Sequence, residues 1–169
     1  MNNFYTALTY VNKIIYEPNH LTVKSIQEEK QNFKYGAGTF ELSSRTIRFR
    51  VANITPTKAG QFVAFWEKDE NNKNQAYSYA EAPDLLVITT FKNENELGQF
   101  IFPKEILFKQ NILRSSSTIG KMAIRIYPCW DSPTSKQAMK TQEWQLHYFV
   151  DMSNSNNLAI EKILELYSL

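Results

Sequence analysis

The chain has 169 residues, enough for one domain, taken here as 1–169, with a substantial core. A formal net charge of +2, two histidines and a single cysteine, Cys129, exclude an internal disulfide and argue against a zinc site built on His and Cys; a lone thiol fits a reducing cytoplasm. No apolar run has the length of a membrane span, and "MNNFYTALTYVNKIIYEP" lacks the basic start, apolar stretch and cleavage site of a secretory leader, so no membrane partner is expected.

The first predicted element is a helix over Asn2 to Tyr16, where Phe4, Leu8, Val11 and Ile15 recur at helical spacing until Pro18 stops it. "KYGAGTFEL" and "RTIRFRVAN" alternate around Ser43-Ser44 and read as a hairpin. After the loop "TPTKAG", "QFVAFWEK" reads as a third strand and "DENNKNQ" as an exposed turn. "DLLVITTF" and "GQFIFP" are two further strands, followed by a short helix, "KEILFKQNIL", that starts at Pro103. "KMAIRIYP" is a strand, "SPTSKQAMKTQEWQLHYFV" a helix with Ser/Thr capping candidates, and "NNLAIEKILELYSL" a final amphipathic helix. The pattern is that of an α+β domain.

The tripeptide GQF occurs twice, at Gly60 and at Gly98. Both copies are read as structural punctuation: Gly ends a turn, Gln opens a strand and Phe begins its buried run. A phosphate loop would lead into a helix, which neither copy does. The two Gln side chains are candidate contacts if the sheet rim is a site.

Charge is unevenly distributed. From Leu42 to Lys58 there are four basic residues and no acid; from Ile106 to Lys140 there are six against one, Asp131. If the two segments meet, they form a positive face. In "RTIRFRVAN" one strand face carries Ile47, Phe49 and Val51, and the other Thr46, Arg48 and Arg50. "GKMAIRIYP" repeats this, with Met122, Ile124 and Ile126 opposite Lys121, Arg125 and Tyr127. An unpaired buried Arg is costly, so these faces need either acidic neighbours, with Glu41 the candidate, or anionic ligands. On the helix from Ser135 to Val150, helical spacing gathers Ala138, Met139, Gln142, Leu146, Phe149 and Val150 on a buried arc. Lys136, Lys140, Glu143 and His147 fall on one edge, with Trp144 and Tyr148 on the next arc. Lysines beside aromatic rings suit a single nucleic-acid strand, ammonium groups meeting phosphates and rings stacking on bases. Packing of Trp144 and Tyr148 under the C-terminal helix is the structural alternative.

Catalytic constellations are weaker. Neither histidine has a nucleophile motif, and Cys129 in "YPCWD" reads as a packed thiol. Pro83-Asp84 suggests a metal-dependent nuclease, yet the one acid-x-Lys, Glu28-Glu29-Lys30, precedes it and lies off the predicted sheet. A carboxylate-bound magnesium site stays open on composition alone.

"RVANITPTKAGQFVAFW", "GQFIFPKEIL", "GKMAIRIYPCWD" and "SKQAMKTQEWQLHYF", in this order from about Tyr35 to Phe149, resemble the MepB family. This bacterial family takes its name from a reading frame beside a multidrug efflux pump and its MarR-type regulator. The resemblance implies a central mixed sheet flanked by helices, like that of the PD-(D/E)XK endonucleases. It also implies nucleic-acid binding, with RNA and single strands favoured, a decayed catalytic triad and an accessory role in an efflux setting. On that alignment Val51 stands where the catalytic Glu would be and Asn53 where the Lys would be; the acid nearest the expected Asp, at Thr39 or Phe40, is Glu41.

Together these readings give a cytoplasmic nucleic-acid binder, RNA or DNA, without catalytic residues, metal or cofactor. Arg48, Arg50, Lys58, Lys121, Arg125, Lys136 and Lys140 are the expected phosphate contacts, and Tyr127, Trp130 and Trp144 the expected stacking residues. The alternatives are a nuclease with a relocated site, pairing Glu41 with Asp84 or Glu67, and an accessory protein that binds a partner or small molecule.

Overall fold

The computed structural model of the chain describes residues 3–153 and 159–168. Helix α1 (Phe4–Val11) is capped by Asn3, whose side chain accepts from the Thr6 amide at 3.1 Å. It runs on through a π turn (Asn12–Tyr16) into a short 3₁₀ turn (Glu17–Asn19) containing Pro18. Strands β1 (Val23–Glu28), β2 (Gly38–Leu42) and β3 (Arg45–Val51) form an antiparallel meander. Then come β4 (Asn53–Ile54), β5 (Gln61–Ala64), β6 (Trp66–Lys68), β7 (Asn74–Ala76), β8 (Leu85–Phe91) and β9 (Leu97–Pro103). Helix α2 (Lys104–Lys109), strand β10 (Ala123–Ile126), helix α3 (Lys136–Leu146), strand β11 (Phe149–Asp151) and helix α4 (Ile160–Tyr167) complete the chain.

The main sheet has six strands in the order β1-β2-β3-β8-β9-β11. It is mixed, because β3 and β8 run parallel, Ile47 opposite Leu85 through Val51 opposite Thr89, while the other pairs are antiparallel. The α+β class expected from the residue pattern and the mixed central sheet implied by the resemblance are therefore present. Alternation decides what covers each face. Ile47, Phe49, Val51, Leu85 and Val87 pack under α1 and α4. Leu86, Ile88, Phe100 and Phe102 point the other way, against Val63 and Phe65 of the inserted strands and Ile124 and Ile126 of β10. That second layer holds a small sheet, β10-β5-β4, and the β6–β7 hairpin.

Several elements differ from the sequence reading. Strand β1 was unassigned: its residues beyond Val23 are all exposed, so it lacks the alternation that marks a half-buried strand. "QFVAFWEK" is two strands in two sheets, broken at Phe65, whose amide bonds to Met122 O. The helix expected to reach Val150 ends at Leu146; Phe149 and Val150 form an edge strand beside β9, where aromatic and β-branched side chains fit the pleat. Met139, expected in the buried arc, is exposed, and Gln145 is the buried residue of α3. Helix α2 is shorter than "KEILFKQNIL". In the tail, Asn156–Leu158 and Leu169, like Asn2 at the start, fall outside the described residues.

The two GQF copies differ. Gly60 ends a turn as expected, with φ +80°, and a Cβ there would meet Ile126 O and the Tyr127 ring. Gly98 lies within β9, where a Cβ would enter the Phe149 ring. Both glutamines are buried, so neither contributes to a sheet rim. Gln61 donates to Phe91 O, and Gln99 belongs to a buried polar chain. Tyr16 donates to the Tyr167 hydroxyl at 2.7 Å, Tyr167 donates to Gln99 Oε1 at 2.5 Å, and Gln99 Nε2 donates to Thr89 Oγ1 at 3.0 Å. Burial pushes both phenols up, so they stay neutral donors.

This chain fastens α4 to the sheet from inside the core, since Tyr167 is its centre. Tyr167→Phe leaves Gln99 Oε1 buried without its donor, and should lower unfolding stability in urea by about 1–3 kcal/mol. An unchanged midpoint would show that the hydroxyl is not needed to dock α4.

Candidate functional site

Arg48 and Arg50 of β3 face the inserted layer. Arg50 is 0% exposed; its Nη1 donates to Glu29 Oε1 at 2.8 Å and to Phe49 O, its Nε to Ala64 O and its Nη2 to the Tyr77 hydroxyl. Arg48 stacks over the Tyr77 ring, Cζ 3.5 Å from the centroid, and reaches Glu29 at 3.4 Å. Tyr77 donates to Glu29 Oε2 at 2.8 Å. Burial raises the Glu29 carboxyl, but the Arg50 and Arg48 guanidiniums and the Arg50 and Tyr77 hydrogen bonds outweigh it, and its pKa lies below the ordinary 4.5. Burial is the main cause lifting the Tyr77 phenol to about 12.

This corrects two expectations. The acidic partner is Glu29, not the exposed Glu41. Arg50 has no solvent-facing surface and Arg48 is stacked and ion-paired, so the pair is an internal clamp between the main sheet and the insertion.

A second basic region lies outside this clamp. Between β10 and α3 a cleft of ≈ 510 Å³ is lined by Arg125 of the strand, by Lys121 and Tyr127 that flank it, and by Ser135, Thr141 and Trp144 from the helix side. Gln145 joins the two elements: its Oε1 accepts from the Tyr127 amide at 2.9 Å and its Nε2 donates to Arg125 O at 3.0 Å. Gln142 donates to Pro128 O and Asp131 O at 3.0 and 2.8 Å. Helix α3 starts at Ser135, which caps the Ala138 amide at 3.1 Å, and carries Lys136 and Lys140 on its exposed edge with Glu143 and His147.

The two basic segments do meet. Arg125 reaches Thr55 Oγ1 at 2.5 Å and the carbonyls of Ala59 and Gly60 at 3.1 and 3.3 Å, which ties down the loop bearing exposed Lys58. Desolvation holds the Asp131 carboxyl above its ordinary value, against the opposing pull of the nearby Gly60 amide and Arg125. Four expected contacts, Lys121, Arg125, Tyr127 and Trp144, share the cleft, Lys136 and Lys140 lie on its helix, and Lys58 is on the tethered loop.

The aromatic residues are more enclosed than expected. Tyr127 is 8% exposed, so its ring is not free to stack on a base. Trp130 packs edge-on against Phe149, and Trp144 packs on Phe102, on the sheet face opposite α4; Tyr148 meets Phe102 too but also packs against the core layer that holds α4. Cys129, expected to be packed, is exposed beside Asp151. The sequence reading missed Glu29 and Tyr77; the one available signal was that two strand arginines on one face demand an acid.

Of the carboxylates proposed for a relocated metal site, Glu41 is exposed, while Asp84 and Glu67 are engaged elsewhere. Asp84 Oδ2 accepts from the Thr46 amide and hydroxyl at 2.9 and 3.1 Å, bonds that hold its pKa down, and Glu67 pairs with Arg114 at 3.4 Å. Val51 lies in the core beneath α1. Among the described residues no three His, Cys, Asp or Glu side chains converge as metal ligands, and no helix is long and apolar enough to cross a membrane.

Fold and site thus define an α+β protein whose mixed sheet carries an insertion clamped by buried arginines and a basic cleft on its outer layer. The family model described as MepB-like matches residues 29–151, and the chain belongs to that family. A crystal structure of MepB superposes with a TM-score of 0.76 at 41% identity, covering 89% of this chain and 97% of the other. No curated protein matches at a significant level.

The clamp predicts a pH signature. A carboxyl with a depressed folded pKa contributes stability that is full above its ordinary 4.5 and is lost as pH falls through the folded value. Glu29→Gln should cost about 3–5 kcal/mol near neutral pH, because it strands the buried Arg50 charge, and the deficit should shrink below that ordinary value. Urea titrations of both proteins across this range test it; a deficit independent of pH would contradict the ion-pair account.

Proposed function

We propose that this protein binds single-stranded nucleic acid, RNA or single-stranded DNA before duplex, along the cleft between β10 and α3, and does not cut it. The observation that carries the reading is the convergence of Lys121 and Arg125 in a concave cleft with no Asp or Glu among its lining residues, and Lys136 and Lys140 on the adjoining helix edge beside Glu143. Cations spaced along a groove neutralise successive phosphates, and a concave wall with an indole suits a flexible strand better than a stiff duplex. The nuclease-like reading of the fold draws support from the mixed sheet flanked by helices. Binding without cleavage draws support from the carboxylates: Asp84 and Glu67 are held by protein partners, and Val51 occupies a core position. A cytoplasmic setting suits the single exposed thiol and a nucleic-acid ligand.

Fluorescence anisotropy with labelled single-stranded RNA, single-stranded DNA and duplex DNA, at several salt concentrations with magnesium present, tests this. Wild type should bind single strands with affinity that falls steeply with salt and should leave the probes intact. Reversing Lys121, Lys136 and Lys140 together should weaken binding and lower the log–log salt slope by about 2, at about 0.7 per phosphate contact on a single strand. An unchanged slope in a folded triple variant would overturn the assignment of this cleft.

A further inference from the structure

The uncharged polar groups that line the cleft divide into two sets. Gln142 and Gln145 of α3 are bonded to the backbone around β10, and Gln145 is 1% exposed; they build the cleft. Gln110, at the end of α2, and Gln137, in the first turn of α3, also line it, and among the described residues their side-chain amides have no hydrogen-bond partner. The Thr141 hydroxyl donates to the Gln137 backbone carbonyl at 3.0 Å, not to its side chain. Trp144 also lines the cleft, its ring supported by Phe102 at 5.4 Å between centroids. The volume of ≈ 510 Å³ falls within the range of small-ligand sites, about 300–1,000 Å³.

We infer that this cleft receives one unstacked nucleotide of the bound strand, with Gln110 and Gln137 reading the base edge while Lys121 and neighbouring lysines hold the flanking phosphates. This rests on the proposed nucleic-acid binding and adds a source of base preference to it. A side-chain amide presents a donor and an acceptor side by side, which matches the paired groups on a base edge; phosphates and sugars are alike in every nucleotide and carry no such information. Single strands are suited to this mode, since a base need not leave a duplex to be read. The division of labour is then between lysines, which set affinity and salt dependence, and the unbonded glutamines, which set preference.

The test compares short homopolymers of riboadenylate, ribocytidylate and ribouridylate on wild type, Gln110→Ala/Gln137→Ala and Lys136→Glu. Wild type should discriminate between the best and worst homopolymer by about tenfold, the size expected for a base-edge contact. The double Gln variant should reduce this ratio to about twofold or less with its salt slope unchanged. Lys136→Glu should keep the ratio and lower the slope. The nucleoside monophosphate of the preferred base should displace the strand from wild type, while inorganic phosphate at equal ionic strength should not. The single Gln variants repeat the comparison if the double variant fails to fold. Salt-sensitive binding in which wild type does not discriminate, or in which the Gln variants keep the wild-type ratio, overturns this inference and leaves the binding cleft standing. Absence of binding by every homopolymer overturns both.

Discussion

Arg50 is the residue around which the rest of the architecture must be arranged. A guanidinium with no exposed surface is tolerated only where its charge is matched and its donors are met. Here the match comes from three directions: Glu29 just after β1, the Ala64 carbonyl at the end of β5, and Tyr77 after β7. Each belongs to a different part of the chain, so the cluster aligns the first meander, the inserted strands and the main sheet at one point. Arg48 completes it by covering the Tyr77 ring. The insertion is therefore held by directional contacts as well as by the apolar layer of Val63, Phe65, Leu86 and Phe102.

That constraint has a functional consequence. The same alternation that puts Ile47 and Phe49 beneath α1 sends Arg48 and Arg50 into the interior of the second layer. The strand whose composition looks most like a phosphate-binding face is thus covered by the insertion. Strand β10 has the same alternation but a different position. Its apolar side faces the core through Ile124 and Ile126, and its polar side, with Lys121 and Arg125, opens on the cleft beside α3. Two similar strand patterns take different roles because one is central and the other lies in the outer layer.

Much of this fold was legible in the residues. The β2–β3 hairpin, the buried runs of β8 and β9 and the apolar stripe of α1 follow from periodicity and turn chemistry, which are local properties. What was not legible depended on contacts made elsewhere. Strand β1 has no buried face to mark it. Phe65 breaks a continuous apolar run only because Ala64 and Trp66 belong to different sheets. Phe149 and Val150 prolong a helical pattern on paper, yet β9 supplies an open edge that captures them. The candidate site shows the same division. The faces of Lys121, Arg125 and Lys136 could be placed from spacing, whereas Glu29 as the arginine partner could not. Nor could the sequence separate the bonded Gln142 and Gln145 from the free Gln110 and Gln137.

Arg48 and Arg50 are structural, and the β10–α3 cleft is the proposed ligand surface. Hydrogen–deuterium exchange with and without a saturating single-stranded RNA oligonucleotide tests both halves in one experiment. The account predicts added protection over residues 121–127 and 135–145, with the amides of β3 and the Tyr77 segment unchanged. Protection centred on β3, with the cleft unaffected, would contradict it and return the ligand to the arginine face.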